Sequence, residues 1–331
     1  MPFTSENEKL GLPPFRPRLP WLGPDLQTLR NFMVRAPAPL DGERLWLPLN
    51  DGSGDRLAGL LHRRPADAAP RPLMVLLHGL NGSEASRYMV IMARHLAEQN
   101  CDVLRLNMRG AGPSRPHCGD YYHAGQTGDL HDALDALPPT LMDNGVALIG
   151  FSLGGNLALK LAAERRDDDR LRAVVSVSAP IDLALTSRNM LRRRNRVYHW
   201  KLLADFRREV LAPGARLSTM ERRVIAGARN FLDFDERFVA PRHGFAGAQD
   251  YYSRCAARPR LREIRVPSLL IHAQDDPIVP AAPYLDYPWR RQPNLVPLLP
   301  RHGGHVGFHG SDRLPWYATA IAGFLDRFAA P

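Results

Sequence analysis

The sequence predicts an α/β domain: a mostly parallel central sheet, helices on both of its faces, and a helical insertion late in the chain. Three observations carry this. Short, continuously apolar runs alternate with amphipathic stretches between about residues 72 and 177. The alternation lapses from about Asp182 to Tyr252, where the chain is polar, arginine-rich and helix-like. It then resumes with two more apolar runs and a closing helix.

Taken in order, residues 1–42 are proline-rich and read as an irregular arm draped over a main domain of residues 43–331. Strand-like runs Glu43–Leu49 and Arg56–Arg63 flank Asp51-Gly52-Ser53-Gly54-Asp55, a hairpin turn. Strand Pro72–Leu77, helix Ala85–Asn100 and strand Asp102–Asn107 follow, then a Gly/Pro-rich loop and a helix from Gln126 to Leu137. Strand Val146–Phe151 runs into helix Leu153–Arg165, and strand Arg172–Val177 closes this half. After the insertion at about 182–252 come strands Pro267–His272 and Leu295–Leu299 and a helix from Arg313 to Phe328. With 331 residues, 44% of them hydrophobic, the chain can bury one full core.

Composition narrows the partners. The formal charge is +10, yet lysine occurs only at Lys9, Lys160 and Lys201. The arginines are spread out apart from Arg192, Arg193, Arg194 and Arg196, so a compositional bias plus one local patch is expected, and no nucleic acid. Cys101, Cys118 and Cys255 are odd in number and far apart, which gives no disulfide framework and no metal-ligand spacing and suits a reducing cytosol. The opening MPFTSENEKLGLPPF lacks a basic segment ahead of an apolar core, and no run of about 18 apolar residues is present, so a cytoplasmic protein is expected.

Gly150-Phe151-Ser152-Leu153-Gly154 is a G-x-S-x-G match lying between an apolar strand and a helix. That context makes Ser152 the expected nucleophile: it sits on a sharp strand-to-helix turn whose neighbours must be glycines, with the helix N-terminus under the developing negative charge. On an α/β-hydrolase fold the acid and then the base follow the serine along the chain. Strand Pro267–His272 runs into Asp275-Asp276-Pro277-Ile278-Val279-Pro280. Asp276 is the expected acid and Asp275 the alternative. His305, within Gly303-Gly304-His305-Val306-Gly307-Phe308, is the expected base, while His302 and His309 read as loop residues. A zinc site at these three histidines would lack a Cys or acidic ligand and a rigid helical face, so no metal and no cofactor are expected. His78-Gly79-Leu80-Asn81-Gly82-Ser83, after strand Pro72–Leu77, is the expected oxyanion loop; its donors are the backbone N–H groups of Leu80 and Leu153, and His78 braces the loop. Arg109, at a strand end, reads as half of a buried ion pair holding the loop toward Asp129.

These segments, with Leu26-Gln27-Thr28-Leu29, Arg105-Leu106-Asn107-Met108-Arg109-Gly110, Tyr122-His123-Ala124-Gly125, Asn156, Gly244-Phe245 and Tyr251-Tyr252, resemble the YheT-like branch of the α/β hydrolases, which includes the ABHD1- and ABHD3-type proteins. The likeness spans about residues 20–325. It departs at Asp25, where the branch often has His, and in the single Gly128 before Asp129. It implies a Ser152–Asp276–His305 triad and hydrolysis of short- to medium-chain carboxylic esters, lipid esters included. Thioesterase or amidase action shares this machinery, and a non-catalytic binding protein is the reading from another class. The insertion, with Trp200, Phe206, Phe231, Phe234 and Phe238, reads either as a lid shaping an acyl pocket with a basic side toward anionic headgroups, or as a lid packed on the body with that side in water. Membrane contact, if made, is peripheral and through this arginine-rich lid; the partner is a small-molecule or lipid ester.

Overall fold

The structure, a computed structural model, describes residue 11 and residues 14–34, 37–38 and 40–328; the rest of the expected arm lies outside these. Among the described residues the sheet has eight strands: β1 (Glu43–Pro48), β2 (Arg56–His62), β3 (Leu73–Leu77), β4 (Val103–Leu106), β5 (Val146–Phe151), β6 (Leu171–Val177), β7 (Ser268–Ile271) and β8 (Leu295–Leu298). Their spatial order is β1-β2-β4-β3-β5-β6-β7-β8. The β1–β2 hairpin and the β2–β4 pair are antiparallel, and every pairing from β4 to β8 is parallel.

The apolar runs are strands because both of their faces are covered. Along β3, Leu73, Val75 and Leu77 enter one core and Met74 and Leu76 the other; β5 divides the same way, Val146 and Leu148 against Ala147, Ile149 and Phe151. Helix α2 (Arg87–Glu98) and the C-terminal helix Trp316–Phe328 cover the second face, with Met89, Met92, Leu96, Ile321 and Phe324 buried there. Helices α3 (Thr127–Asp135) and α4 (Leu153–Glu164) cover the first, through Leu130, Leu134, Leu157 and Leu161.

The order places β4 on one side of β3 and β5 on the other, so the chain reverses its direction of winding between β3 and β5. Ligands of open α/β sheets bind in the crevice above such a switch point, at the carboxyl ends of the strands. The loop beginning at His78 and the strand-to-helix turn at Ser152 meet there.

The insertion is helical, as expected: α5 (Leu183–Met190), α6 (Arg196–Val210), α7 (Thr219–Gly227), α8 (Phe231–Phe234), which continues through a wider π turn at Asp235–Val239, and α9 (Ala248–Cys255). Phe206, Phe234 and Phe238 are buried in the first-face core, with Tyr121 5.0 Å from Phe206 and Phe206 4.9 Å from Phe234. Trp200 is 75% exposed, so the insertion uses most of its aromatic residues to pack on the body and leaves one in water.

The arm differs from the irregular segment expected. Residues Pro24–Met33 form a helix, α1. The prolines that suggested irregularity include the one that starts it: Pro24 has helical φ and occupies a position whose N–H has no partner within the helix. Asp25 in the first turn and Arg30 in the last complement the helix dipole.

Candidate active site

Ser152 caps the N-terminus of α4 at φ 51°, ψ −121°, a strained backbone that presents its side chain at the top of β5. Its neighbours have no room for side chains. A Cβ on Gly150 would lie 2.2 Å from the Gly154 carbonyl oxygen, and one on Gly154 would lie 2.5 Å from those of Leu77 and His78. The G-x-S-x-G spacing is therefore a packing requirement of the turn.

Ser152 Oγ–H donates to His305 Nε2 at 2.9 Å, and His305 Nδ1–H donates to Asp276 Oδ2 at 2.7 Å. The other Asp276 oxygen, Oδ1, accepts the N–H groups of Ile278 at 2.8 Å and Val279 at 2.9 Å. Burial alone would raise the Asp276 carboxyl; the charge and hydrogen bond of His305, with the Val279 amide, outweigh it and hold the group below the usual carboxylate range. Asp275 points elsewhere. Its Oδ1 accepts the Gly304 N–H at 3.0 Å and its Oδ2 lies 3.2 Å from His302 Nδ1. Of the two neighbouring acids, one meets the imidazole and the other holds the loop that carries it. The histidines part as well, for His309 Nδ1 accepts from Arg30 at 3.1 Å.

The loop after β3 lies against the serine, since a Cβ on Gly79 would be 2.9 Å from Ser152 Cβ. Two tyrosines fix it. Tyr88 accepts the Gly79 N–H at 3.0 Å; Tyr122 accepts the Asn81 N–H at 3.1 Å and donates to the Gly79 carbonyl at 2.9 Å. Gly82 N–H is taken by the Gly79 carbonyl. The Leu80 N–H makes no hydrogen bond among the described residues. The Leu153 N–H, at the first position of α4, has none within the helix.

His78 is fully buried; its Nδ1–H donates to the Gly79 carbonyl at 2.8 Å and its Nε2 accepts the Met108 N–H at 3.1 Å. Only the neutral ring can make both bonds, and burial lowers its pKa from 6.5 to about 4. The unfolded chain therefore binds this proton more tightly than the folded one. The contribution to stability is complete above about pH 6.5 and is lost as the pH falls toward 4. Unfolding free energies from urea melts at pH 7 and pH 5 should fall less for His78→Gln than for wild type, by roughly 2 kcal/mol, although the variant starts lower.

Arg109 makes the expected buried ion pair and exceeds it. It grips Asp129 through Nε at 2.9 Å and Nη2 at 2.7 Å, and reaches Asp55 at 3.1 Å and Asp51 at 2.6 Å. The β1–β2 turn, the segment after β4 and α3 are locked together, and the Arg109 carbonyl accepts the N–H of Tyr122, whose hydroxyl holds the loop after β3.

Sequence reasoning missed the residues that hold the His305 loop. Val306 and Phe308 have φ of 54° and 53°, so the loop is strained. Helix α1 clamps it. Thr28 Oγ1 accepts the His305 N–H at 2.8 Å, Asn31 donates to the Val306 carbonyl at 2.7 Å, and Gln27 both accepts the His309 N–H at 2.7 Å and donates to its carbonyl at 2.9 Å. From the other side Ser178 accepts the Val306 N–H at 3.1 Å. The Leu26-Gln27-Thr28-Leu29 match was the available signal, though nothing local in sequence ties it to a loop near residue 305. Thr28→Val should lower kcat about ten- to a hundredfold on a soluble ester with KM little changed, and Thr28→Ser should restore it; an unaltered kcat would remove the clamp from the account. Across the cleft Asn189 of α5 donates to the carbonyls of Pro277 at 3.0 Å and Ile278 at 2.9 Å, steadying the Asp276 turn. A cleft lined by Lys160, Glu164, Arg254 and Arg260 lies about two turns along α4 from Ser152, and ion pairs from Glu164 to Lys160 and Arg260 occupy it.

Comparison with known proteins agrees with this architecture. A family model described as alpha/beta hydrolase fold matches residues 72–312. YheT of Escherichia coli (strain K12), which carries a provisional esterase name, is 32% identical over 98% of this chain and 96% of its own. The medium-chain fatty acid ethyl ester synthase/esterase 2 of Saccharomyces cerevisiae is 28% identical over 78% of this chain and 62% of its own. Among solved structures, the esterase Pf2001 of Pyrococcus furiosus superposes with a TM-score of 0.58 at 17% identity, covering 96% of this chain and all of that one, a likeness of fold.

Proposed function

The chain belongs to the α/β-hydrolase fold family, on the YheT branch, and from that premise we propose that it hydrolyses carboxylic esters through an acyl-enzyme formed on Ser152. The observation that carries this reading is the unbroken line of hydrogen bonds Ser152–His305–Asp276 at the head of β5. His305 Nε2 takes the hydroxyl proton as Oγ adds to the ester carbonyl carbon. The carbonyl oxygen gains the electron pair and is held by the N–H groups of Leu80 and Leu153. Collapse breaks the C–O bond to the alcohol, which leaves with the proton from His305. A water then gives its proton to His305 and attacks the acyl carbon, releasing the acid and returning the proton to Ser152. Asp276 keeps the imidazole in the tautomer whose Nε2 is free to accept, and it stabilises the cation between steps.

Acyl groups of short to medium length are the expected substrates, in keeping with the name of the yeast relative. No cofactor enters the sequence of steps. Cys101, Cys118 and Cys255 are free and buried, which favours a reducing compartment, the cytosol. Among the described residues no helix is long and apolar enough to cross a membrane. A p-nitrophenyl ester series from acetate to octanoate, run with fluorophosphonate labelling, tests the proposal. Turnover with a maximum at butyrate to octanoate and stoichiometric labelling is the expected result, and folded protein inert to both reagents would refute it.

A further inference from the structure

Helix α1 has two faces. Gln27, Thr28 and Asn31 point at the His305 loop, while Leu26, Leu29 and Met33 lie on the opposite side at helical spacing and are exposed, Met33 to 66%; Phe32 beside them is also 66% exposed. A second exposed apolar group abuts this one. Asp25 accepts hydrogen bonds from Arg194 at 3.1 Å and from Tyr198 at 2.9 Å, which ties the start of α1 to the segment carrying Leu191, Val197 and Trp200. Val197 is 77% exposed and Trp200 75%. Around them stand Arg192, Arg193 and Arg196, all exposed and without an ion pair among the described residues. Some exposed arginines elsewhere are matched with acids, as in Arg170–Asp168, Arg208–Asp205 and Arg265–Asp167, and others, such as Arg223, Arg262 and Arg301, make no ion pair among the described residues. What sets this patch apart is that three such arginines adjoin exposed apolar side chains.

We propose that the segment from Leu191 to Trp200, together with the outer side of α1, is a docking face for an anionic lipid surface. The argument is charge complementarity combined with chemistry: unpaired guanidinium groups fit lipid phosphates, and a tryptophan with neighbouring aliphatic groups fits the headgroup–acyl boundary. A nucleic acid would engage the arginines and leave Leu26, Leu29, Met33 and Val197 in water. The face is the back of the helix whose inner side holds the His305 loop, so a docked lipid surface would lie one helix diameter, roughly 10 Å, from that loop. This deepens the ester-hydrolase reading, on which the substrate class rests.

The test is flotation of the full chain with vesicles of phosphatidylcholine alone and with added phosphatidylglycerol, at low and high salt, alongside hydrolysis of p-nitrophenyl butyrate in solution. Flotation with the anionic vesicles that weakens with salt is the expected result. R192Q/R193Q/R196Q should lower partitioning about a hundredfold, at about fivefold per arginine, and Trp200→Ser several-fold, with soluble turnover unchanged in both. Wild-type protein that stays with the aqueous phase, floats equally with neutral vesicles, keeps its binding in the triple variant, or is retained on RNA but not on vesicles would overturn the proposal. The soluble assay separates the two readings. Protein that hydrolyses the ester and ignores vesicles sinks only the docking face, whereas protein that floats but hydrolyses nothing sinks the ester-hydrolase reading.

Discussion

Ser152→Ala is expected to lose kcat on p-nitrophenyl butyrate by about four to six orders of magnitude, with the thermal midpoint close to that of wild type. The size follows from what is removed. Without Oγ there is no atom for the acyl group to join, and His305 has no proton to take. The small effect on folding follows from the local structure. The serine makes one side-chain hydrogen bond, to His305, and alanine meets the same positive φ that serine already bears. The close-packed glycines at 150 and 154, which set the turn, are untouched. A variant that keeps wild-type turnover would mean that the nucleophile lies elsewhere.

Asp276→Asn should cost about four orders of magnitude in kcat, and Asp275→Asn less than about tenfold. The difference rests on which atoms each carboxylate serves. The Ile278 and Val279 amides both donate to Asp276 Oδ1, so an asparagine would place its oxygen there and turn its NH2 toward His305 Nδ1. The imidazole would then carry its proton on Nε2 and could not accept one from Ser152. Asp275 serves the Gly304 N–H and His302, so an amide there loosens the loop without inverting the tautomer. Steady-state rates for the two variants on one ester decide the matter. The larger loss at position 275 would exchange their roles.

How much of this was legible beforehand follows the range of the interactions. The alternation of apolar strands and helices survives in sequence because burial on both faces makes each strand continuously apolar, as in β3 and β5. Ser152 was legible because the elbow needs its glycines within two residues. That His305 and Asp276 would meet Ser152 was legible through chain order and strand ends, and the bracing contacts of His78 and Arg109 through their places just after β3 and β4. The contacts of α1 were hidden. Thr28 and His305 are 277 residues apart, and Gln27 and His309 are 282 apart; no local pattern encodes such a pairing. The prolines around residues 13–24 signalled an irregular arm, while Pro24 in fact opens a helix. The fate of the insertion's aromatic residues was equally hidden. Phe206, Phe234 and Phe238 go to the core and Trp200 to water, a division that depends on how α6 and α8 meet the body.

The most direct measurement of the central claim is mass spectrometry of the protein quenched during turnover of p-nitrophenyl butyrate. The account predicts a butyryl adduct on the peptide containing Gly150-Phe151-Ser152-Leu153-Gly154, localised to Ser152 and absent from Ser152→Ala. An adduct on Cys118 or on a histidine, or steady hydrolysis by Ser152→Ala, would contradict it.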